Sequence, residues 1–201
     1  YDPVQRRLPQ DEEHAFYLSD GYGGRKRAGE MELLAAKTTM AWSIVRPCHI
    51  YGPGSKLGCL PEHGRDAQLI ERMRAGEPLR LVGGGSFLQQ PVLASDLALT
   101  ILSMAGRATT FGQIFNVAGP DLVEAREYYR IIAAILGVPL QIVEVPVDAY
   151  RREHPEAAPY LCHRFCDVSK LRAAGVAIPS TPLDQGLREH VASLISGKSN
   201  D

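Results

Sequence analysis

The sequence predicts an α/β protein built on a mainly parallel sheet. Two observations carry that expectation. Short apolar runs, partly β-branched and closed by Pro or Gly, alternate with segments rich in helix formers, and this alternation is the signature of parallel strands covered by helices. The count of strand candidates, about four, is thin for a complete doubly wound sheet, whose two faces both need cover.

The opening, Tyr1–Asp20, holds Pro3, Pro9 and the acids Asp11–Glu13, and reads as a surface loop. From Tyr22 to Thr39 strong helix formers dominate, with apolar residues at 28, 31, 34 and 35. Trp42–Val45 is a brief apolar run stopped by Arg46-Pro47 and predicts a buried strand. Ile50–Gly54 reads as a turn and Gly58–Gly64 as its continuation in a loop. Asp66–Ala75 predicts a helix stopped by Gly76 and Pro78, and Leu79–Val82 a strand leading into Gly83-Gly84-Gly85. Ser95-Asp96 is expected to cap a helix over Leu97–Gly106. Gln113–Val117 predicts a strand, Val123–Leu136 a helix ended by Gly137, and Leu140–Val145 another strand. Asp148–Tyr160 shows no clear period. Val168–Ala174 and Pro182–Ser196 are the last helices, the final one amphipathic through Leu183, Leu187, Val191 and Leu194-Ile195.

A chain of 201 residues has room for one domain, or one domain and a small lobe. The net charge of -1 gives no electrostatic reason to expect a nucleic-acid partner. The longest apolar stretches, such as Leu97–Ala105, are too short to span a bilayer, and Tyr1–Gln10 is too polar for a signal peptide. The spacing of Cys48, Cys59, Cys162 and Cys166 matches neither a zinc site nor a disulfide framework. Reduced cysteines, no metal, no membrane and a cytoplasmic setting are the expectations.

The first chemical signal is Tyr22-Gly23-Gly24-Arg25-Lys26. Residues four apart on a helix share a face, so the phenol and the ammonium stack one turn apart. A free phenol is a weak base at neutral pH, and a nearby cation favours the phenolate. That arrangement suits a tyrosine serving as general acid/base. On its own the spacing is common, and an exposed tyrosine at a helix start is its commoner explanation.

Twenty residues after Lys26 comes Arg46-Pro47-Cys48-His49-Ile50-Tyr51-Gly52-Pro53-Gly54. Further on stand Gly83-Gly84-Gly85-Ser86, Val92–Ala98, Phe115-Asn116-Val117-Ala118-Gly119, Asp167-Val168-Ser169-Lys170-Leu171 and Pro182–Leu187. Together with Tyr22, Lys26 and Glu30, in this order, they resemble the extended short-chain dehydrogenase/reductases of the NAD-dependent epimerase/dehydratase type. The resemblance implies a partial Rossmann-type doubly wound parallel sheet with a small C-terminal α/β substrate-binding lobe. Residues 1–58 and 86–120 would be the remainder of the Rossmann-type domain, and 59–85 with 121–201 the lobe. It also implies that Tyr22 is the catalytic acid/base and that Lys26 holds the nicotinamide ribose. The backbone of Pro47, Cys48, His49 and Ile50 would line the nicotinamide pocket of a bound NAD or NADP, and His49 would contact substrate. A small-molecule substrate, a sugar or nucleotide sugar, is implied, as is a homodimer formed through the Tyr22 helix.

The sequence departs from the family in several ways, among them the absence of the acidic residue expected on the cofactor ribose and the placing of Arg25 beside Lys26. No Gly-rich dinucleotide fingerprint opens a βα unit, because no strand precedes Gly21–Gly24 and no helix follows Gly83–Gly85 directly. The family's catalytic serine or threonine would fall upstream of Tyr1, so the chain is expected to be the later portion of a longer protein, about a hundred residues or more preceding it. Gln89 stands where relatives acting on nucleotide sugars carry a diphosphate-binding arginine. A neutral amide does not replace that charged, bidentate contact; Arg65, Arg72, Arg74 and Arg80 are the candidates to compensate. The leading expectation is an NAD(P)-dependent epimerase, dehydratase or reductase. The alternative is a non-catalytic relative, an RNA-binding protein or an interaction subunit.

Overall fold

The computed structural model describes residues 8–13 and 21–197. Most of the loop expected over Tyr1–Asp20 therefore lies outside the described residues. The elements in order are α1 (Tyr22–Ala35), β1 (Ser43–Pro47), β2 (Ile50–Tyr51), α2 (Leu69–Arg74), β3 (Leu79–Val82), β4 (Leu88–Gln89) and β5 (Val92–Leu93). Then come α3 (Ala94–Met104), β6 (Gln113–Val117), β7 (Val123–Glu124), α4 (Ala125–Leu136), β8 (Ile142–Val145), α5 (Val147–Glu153), α6 (Ser169–Ala173) and α7 (Leu183–Gly197).

The strands pair two by two. β1 runs parallel to β6 from Ser43↔Gln113 to Pro47↔Val117, and β2 runs parallel to β5. β3 and β8 form a third parallel pair, whereas β4 and β7 are antiparallel. A parallel pair needs a crossover connection, and α3 lies within the one that joins β1 to β6.

The α4 helix buries Ala125, Tyr128, Tyr129, Ile132 and Ala133, and α7 buries Leu183, Gly186, Leu187, His190 and Val191. Both sets fall at i, i+3, i+4, i+7 and i+8, one continuous face each. The two faces join Tyr51, Leu57, Leu69, Leu79 and Leu93 in the largest core. Each fully buried side chain of this size contributes about 1.5–3 kcal/mol. Gly186 is required where α7 passes β2, because a Cβ there would lie 2.2 Å from the Tyr51 hydroxyl. A second core places Val92, Leu97, Phe115 and Val117 against Leu171 and Val176, so the segment around α6 packs on the β1–β6 pair.

Several local expectations are revised. Ile50-Tyr51 is a strand and not a turn, because Val92 and Leu93 supply parallel partners. The α1 helix ends at Ala35, before the β-branched Thr38 and Thr39, with Ala36 extended at φ -67 and ψ 123. Asp148–Tyr160, without a period in the sequence, contains α5 and a 3-10 turn over Pro155–Tyr160. Ser95-Asp96 does not cap a helix starting at Leu97: α3 already begins at Ala94, and its N-cap position, Leu93, makes no side-chain cap. The Asp96 carboxylate is used elsewhere. It accepts hydrogen bonds from the backbone N–H of Ser180 and Thr181, both at 2.8 Å, and from the Thr181 hydroxyl at 2.9 Å.

That carboxylate holds the approach to α7 against α3. Replacing Asp96 by alanine removes three charge-assisted bonds at once, and the expected loss is about 2–3 kcal/mol of folding stability. Urea denaturation of Asp96→Ala beside the parent checks this; a change below about 0.5 kcal/mol would remove the carboxylate from any anchoring role.

Candidate functional site

Tyr22 and Lys26 occupy the first turns of α1. The Lys26 Nζ lies 5.5 Å from the centroid of the Tyr22 ring, over its face, and the tyrosine is 68% exposed. The predicted pair is thus formed and open. No residue of α1 is buried, so packing alone does not hold the helix. An ion pair does. Arg46, on β1, donates from Nε and Nη2 to the two carboxylate oxygens of Glu30 at 2.8 and 2.7 Å, and Arg27 donates to Glu30 at 2.8 Å. Burial pushes the Glu30 carboxyl up, but the two guanidinium contacts outweigh it and hold the group below its ordinary value. The Nη1 of Arg46 also donates to the carbonyl of Glu12.

The segment Pro47–Ile50 links the end of β1 to β2. The N–H of Cys48 donates to Val117 O at 2.9 Å, and His49 O accepts from Val92 N at 2.9 Å, so the segment is bonded on both sides. Ile50 is 45% exposed. The His49 ring lies 5.7 Å from that of Tyr128, and its Nδ1 is 3.7 Å from the Cys59 Sγ. Burial of its ring atoms, then the positive charges of Arg164 and Arg65, push the imidazole down to about 4. His49 is consequently neutral at pH 7, a hydrogen-bonding group and not a cation. The loop carrying Cys59 folds tightly because Gly58, at φ +122, lets the backbone close on His63 O; a Cβ there would come within 1.7 Å of it. Cys59 N donates to the Tyr129 hydroxyl at 2.7 Å, and burial pushes the Cys59 thiol up to about 12.

Gln89 lies in β4 and is buried, with its Nε2 lacking a hydrogen-bond partner. A buried amide N–H without an acceptor carries a desolvation cost that a ligand oxygen would relieve. Beside it runs the segment of Arg164, bridged in parallel to Gln89 and bonded through Arg164 N to Leu88 O at 2.8 Å. The Arg164 Nη2 donates to Leu60 O at 2.9 Å. Arg164 was not among the arginines expected to compensate for Gln89. Two of those are engaged elsewhere: Arg72 pairs with Asp66 and Arg80 with Glu62. Arg164 is the cation whose charge reaches Cys48, His49 and Cys59 together. The one sequence signal for it is its place three residues before the Asp167-Val168-Ser169-Lys170 motif.

The expected positions therefore form two groups. Tyr22 and Lys26 stand together on α1; Cys48, His49 and Gln89 lie near Arg164, with Cys59 added and Tyr128 beside His49, while Pro47 and Ile50 flank the Cys48-His49 segment. Among the described residues no hydrogen bond joins the two groups, and Arg46–Glu30 is the link between their elements. No three His, Cys, Asp or Glu side chains among the described residues are grouped to hold a metal, and no helix there is long and apolar enough to cross a membrane.

His49 sets the pH behaviour of the second group. Its folded value lies below the unfolded reference, so the unfolded chain takes the proton first as pH falls. Stability from this residue is complete above about pH 6.5 and declines down to about pH 4. An NMR titration of the imidazole is expected to show a midpoint near 4; a midpoint near 6.5 would show a ring open to water.

Comparison with known proteins gives the family and the fold. Residues 1–118 match the NAD dependent epimerase/dehydratase family. Over 176 residues the chain is 29% identical to a dTDP-4-dehydro-6-deoxy-D-allose reductase of Streptomyces bikiniensis, covering 86% of this chain and 50% of that protein. Over 184 residues it is 26% identical to the chloroplast stem-loop binding protein of 41 kDa b of Arabidopsis thaliana, covering 90% and 46%. The chain thus spans about half the length of these curated relatives. Among solved structures, the UDP-glucose 4-epimerase of Thermotoga maritima, crystallised with UDP-glucose, superposes with a TM-score of 0.76 at 20% identity, over 96% of this chain and 59% of that one. The partial Rossmann-type α/β architecture is therefore shared, and the chain belongs to the NAD dependent epimerase/dehydratase family.

Proposed function

We propose that this chain supplies the acid/base pair and the substrate-binding part of an NAD(P)-dependent epimerase, dehydratase or reductase acting on a sugar-like substrate, a nucleotide sugar in the first instance. The observation that carries the reading is the stacked Tyr22–Lys26 pair on a helix locked to β1 by Glu30–Arg46, in a chain of this family. The residues present fit the nicotinamide-ribose end of the cofactor: an exposed phenol, an ammonium a turn away, and the backbone of Pro47–Ile50. When bound, the cofactor accepts or returns a hydride. Tyr22 takes the proton of a substrate hydroxyl at its Oη as that carbon is oxidised, and gives it back in the reverse step. Lys26 holds its ammonium over the ring of Tyr22, 5.5 Å from the centroid. His49, neutral, offers a hydrogen bond to a sugar hydroxyl. Arg164 takes the anionic part of the substrate, and the unpartnered Nε2 of Gln89 donates to a neighbouring oxygen.

Two finer points belong to the same reading. The α1 helix buries nothing and exposes Met31 (49%) and Leu34 (43%), a face on which a second copy of the chain would dock. The spacing of the four cysteines, which matches no disulfide framework, supports a cytoplasmic setting. A second reading, a non-catalytic RNA-binding protein, is favoured by the Arabidopsis relative and by the neutral Gln89. The retained Tyr22–Lys26 pair and the net charge of -1 weigh against it.

The test compares the parent protein with Tyr22→Phe and Arg164→Ala, using NAD, NADP and nucleotide sugars. Tyr22→Phe is expected to lower kcat by about 10²–10⁴ with cofactor affinity retained. Arg164→Ala is expected to raise KM about tenfold to a hundredfold for a diphosphate substrate. Undiminished turnover in Tyr22→Phe, or tight RNA binding without nicotinamide binding, would overturn the enzymatic reading.

A further inference from the structure

The proposed reaction makes no use of a pair of thiols beside the site. Cys48 follows β1, and Cys166 lies 118 residues later in the extended segment before α6, with the two Sγ atoms 3.0 Å apart. A disulfide bond is about 2.0 Å long, so the sulfurs stand roughly 1 Å from bonding distance. Both backbones are fixed. Cys48 N donates to Val117 O at 2.9 Å, and Cys166 N donates to Gln90 Oε1 at 3.0 Å. On either side of Cys166, Phe165 O accepts from Gln10 N at 3.0 Å and Asp167 N donates to Gln10 O at 2.9 Å. The other two thiols point elsewhere: Cys59 toward His49, and Cys162 to the carbonyl of Pro159 at 3.2 Å.

We propose that Cys48 and Cys166 are a reversible disulfide site that fastens the β1–β2 connection to the segment before α6. The oxidant is a small disulfide of the glutathione class, RSSR. The Cys166 thiolate attacks one sulfur of RSSR, the S–S bond breaks, and RS⁻ leaves to take up a proton as RSH. The Cys48 thiolate then attacks the Cys166 sulfur of the mixed disulfide and expels the second RS⁻, which is protonated in turn. Two protein thiols are oxidised by two electrons, one RSSR is reduced, and two RSH carry away the two protons. The order follows from the surroundings: the hydrogen bond with Cys166 and then burial push the Cys48 thiol well above its ordinary value, which suits it to the second step.

The closed form ties together segments 118 positions apart, a long loop whose closure constrains the unfolded chain strongly. It also fixes the residue that stands between Pro47 and His49, so oxidation acts on the segment assigned above to the nicotinamide pocket.

The experiment equilibrates the purified protein in mixtures of reduced and oxidised glutathione, quenches with acid, blocks free thiols with iodoacetamide in denaturant, and maps peptides under non-reducing conditions. A cross-linked peptide joining Cys48 and Cys166 is expected in oxidising mixtures, with Cys59 and Cys162 alkylated, and it should vanish with dithiothreitol. The oxidised protein should melt roughly 5–15 °C above the reduced one. Cys166→Ser should abolish both the cross-link and the shift, and Cys162→Ser should leave both in place. Full alkylation of Cys48 and Cys166 in excess oxidised glutathione, or a Cys162–Cys166 link in their stead, would overturn the proposal. Because the cross-link is read by mass, its outcome is independent of whether the chain proves to be an enzyme.

Discussion

The Arg46–Glu30 ion pair is the constraint on which the site hangs. The helix that carries Tyr22 and Lys26 has no apolar face in any core, so its position relative to β1 depends on charge and hydrogen bonding. Both side chains are largely shielded from water, with relative exposures of 11% and 13%. A buried pair of this kind contributes little net stability compared with an apolar pair, yet removing one partner leaves an uncompensated charge. It acts as a specific positional lock. The same guanidinium reaches Glu12 O, so the opening segment, α1 and β1 meet at one residue.

The second half of the site obeys a different logic. Around His49 the Tyr128 and Tyr129 hydroxyls and the Cys59 thiol are buried, and burial holds all three in their neutral forms. Arg164 brings positive charge into this neutral setting. Under the proposed function the two halves would divide the labour, with proton handling on an open helix and recognition around Arg164.

Much of the fold was legible where a local signal matched the final packing. Leu79–Val82 and Gln113–Val117 are strands as their apolar runs predict, and Val123–Leu136 contains α4, ended at Gly137 in the left-handed conformation. The last helix was legible from Leu183, Leu187 and Val191. What failed to show depends on distant partners. Ile50-Tyr51 becomes a strand through Val92-Leu93, and Asp96 abandons capping for Ser180 and Thr181, more than eighty residues away. The Tyr22–Lys26 stack was legible because helical spacing alone creates it. Arg164 was not, because its relation to Gln89 comes from a bridge between segments 75 residues apart.

The carboxylate hold of Asp96 on Ser180-Thr181 and the Gln10 pairing with Phe165 and Asp167 have a consequence for how the molecule is made. A ribosome releases the chain from its N-terminal side at about 5–20 residues per second. Tyr22, Lys26 and His49 emerge early, but Arg164, Cys166 and Thr181 follow more than a hundred residues behind. Until they appear, Val92, Phe115 and Val117 lack the cover that Leu171 and Val176 later provide. The group around Arg164 is therefore completed late in synthesis, after an interval in which this apolar surface lies open to aggregation.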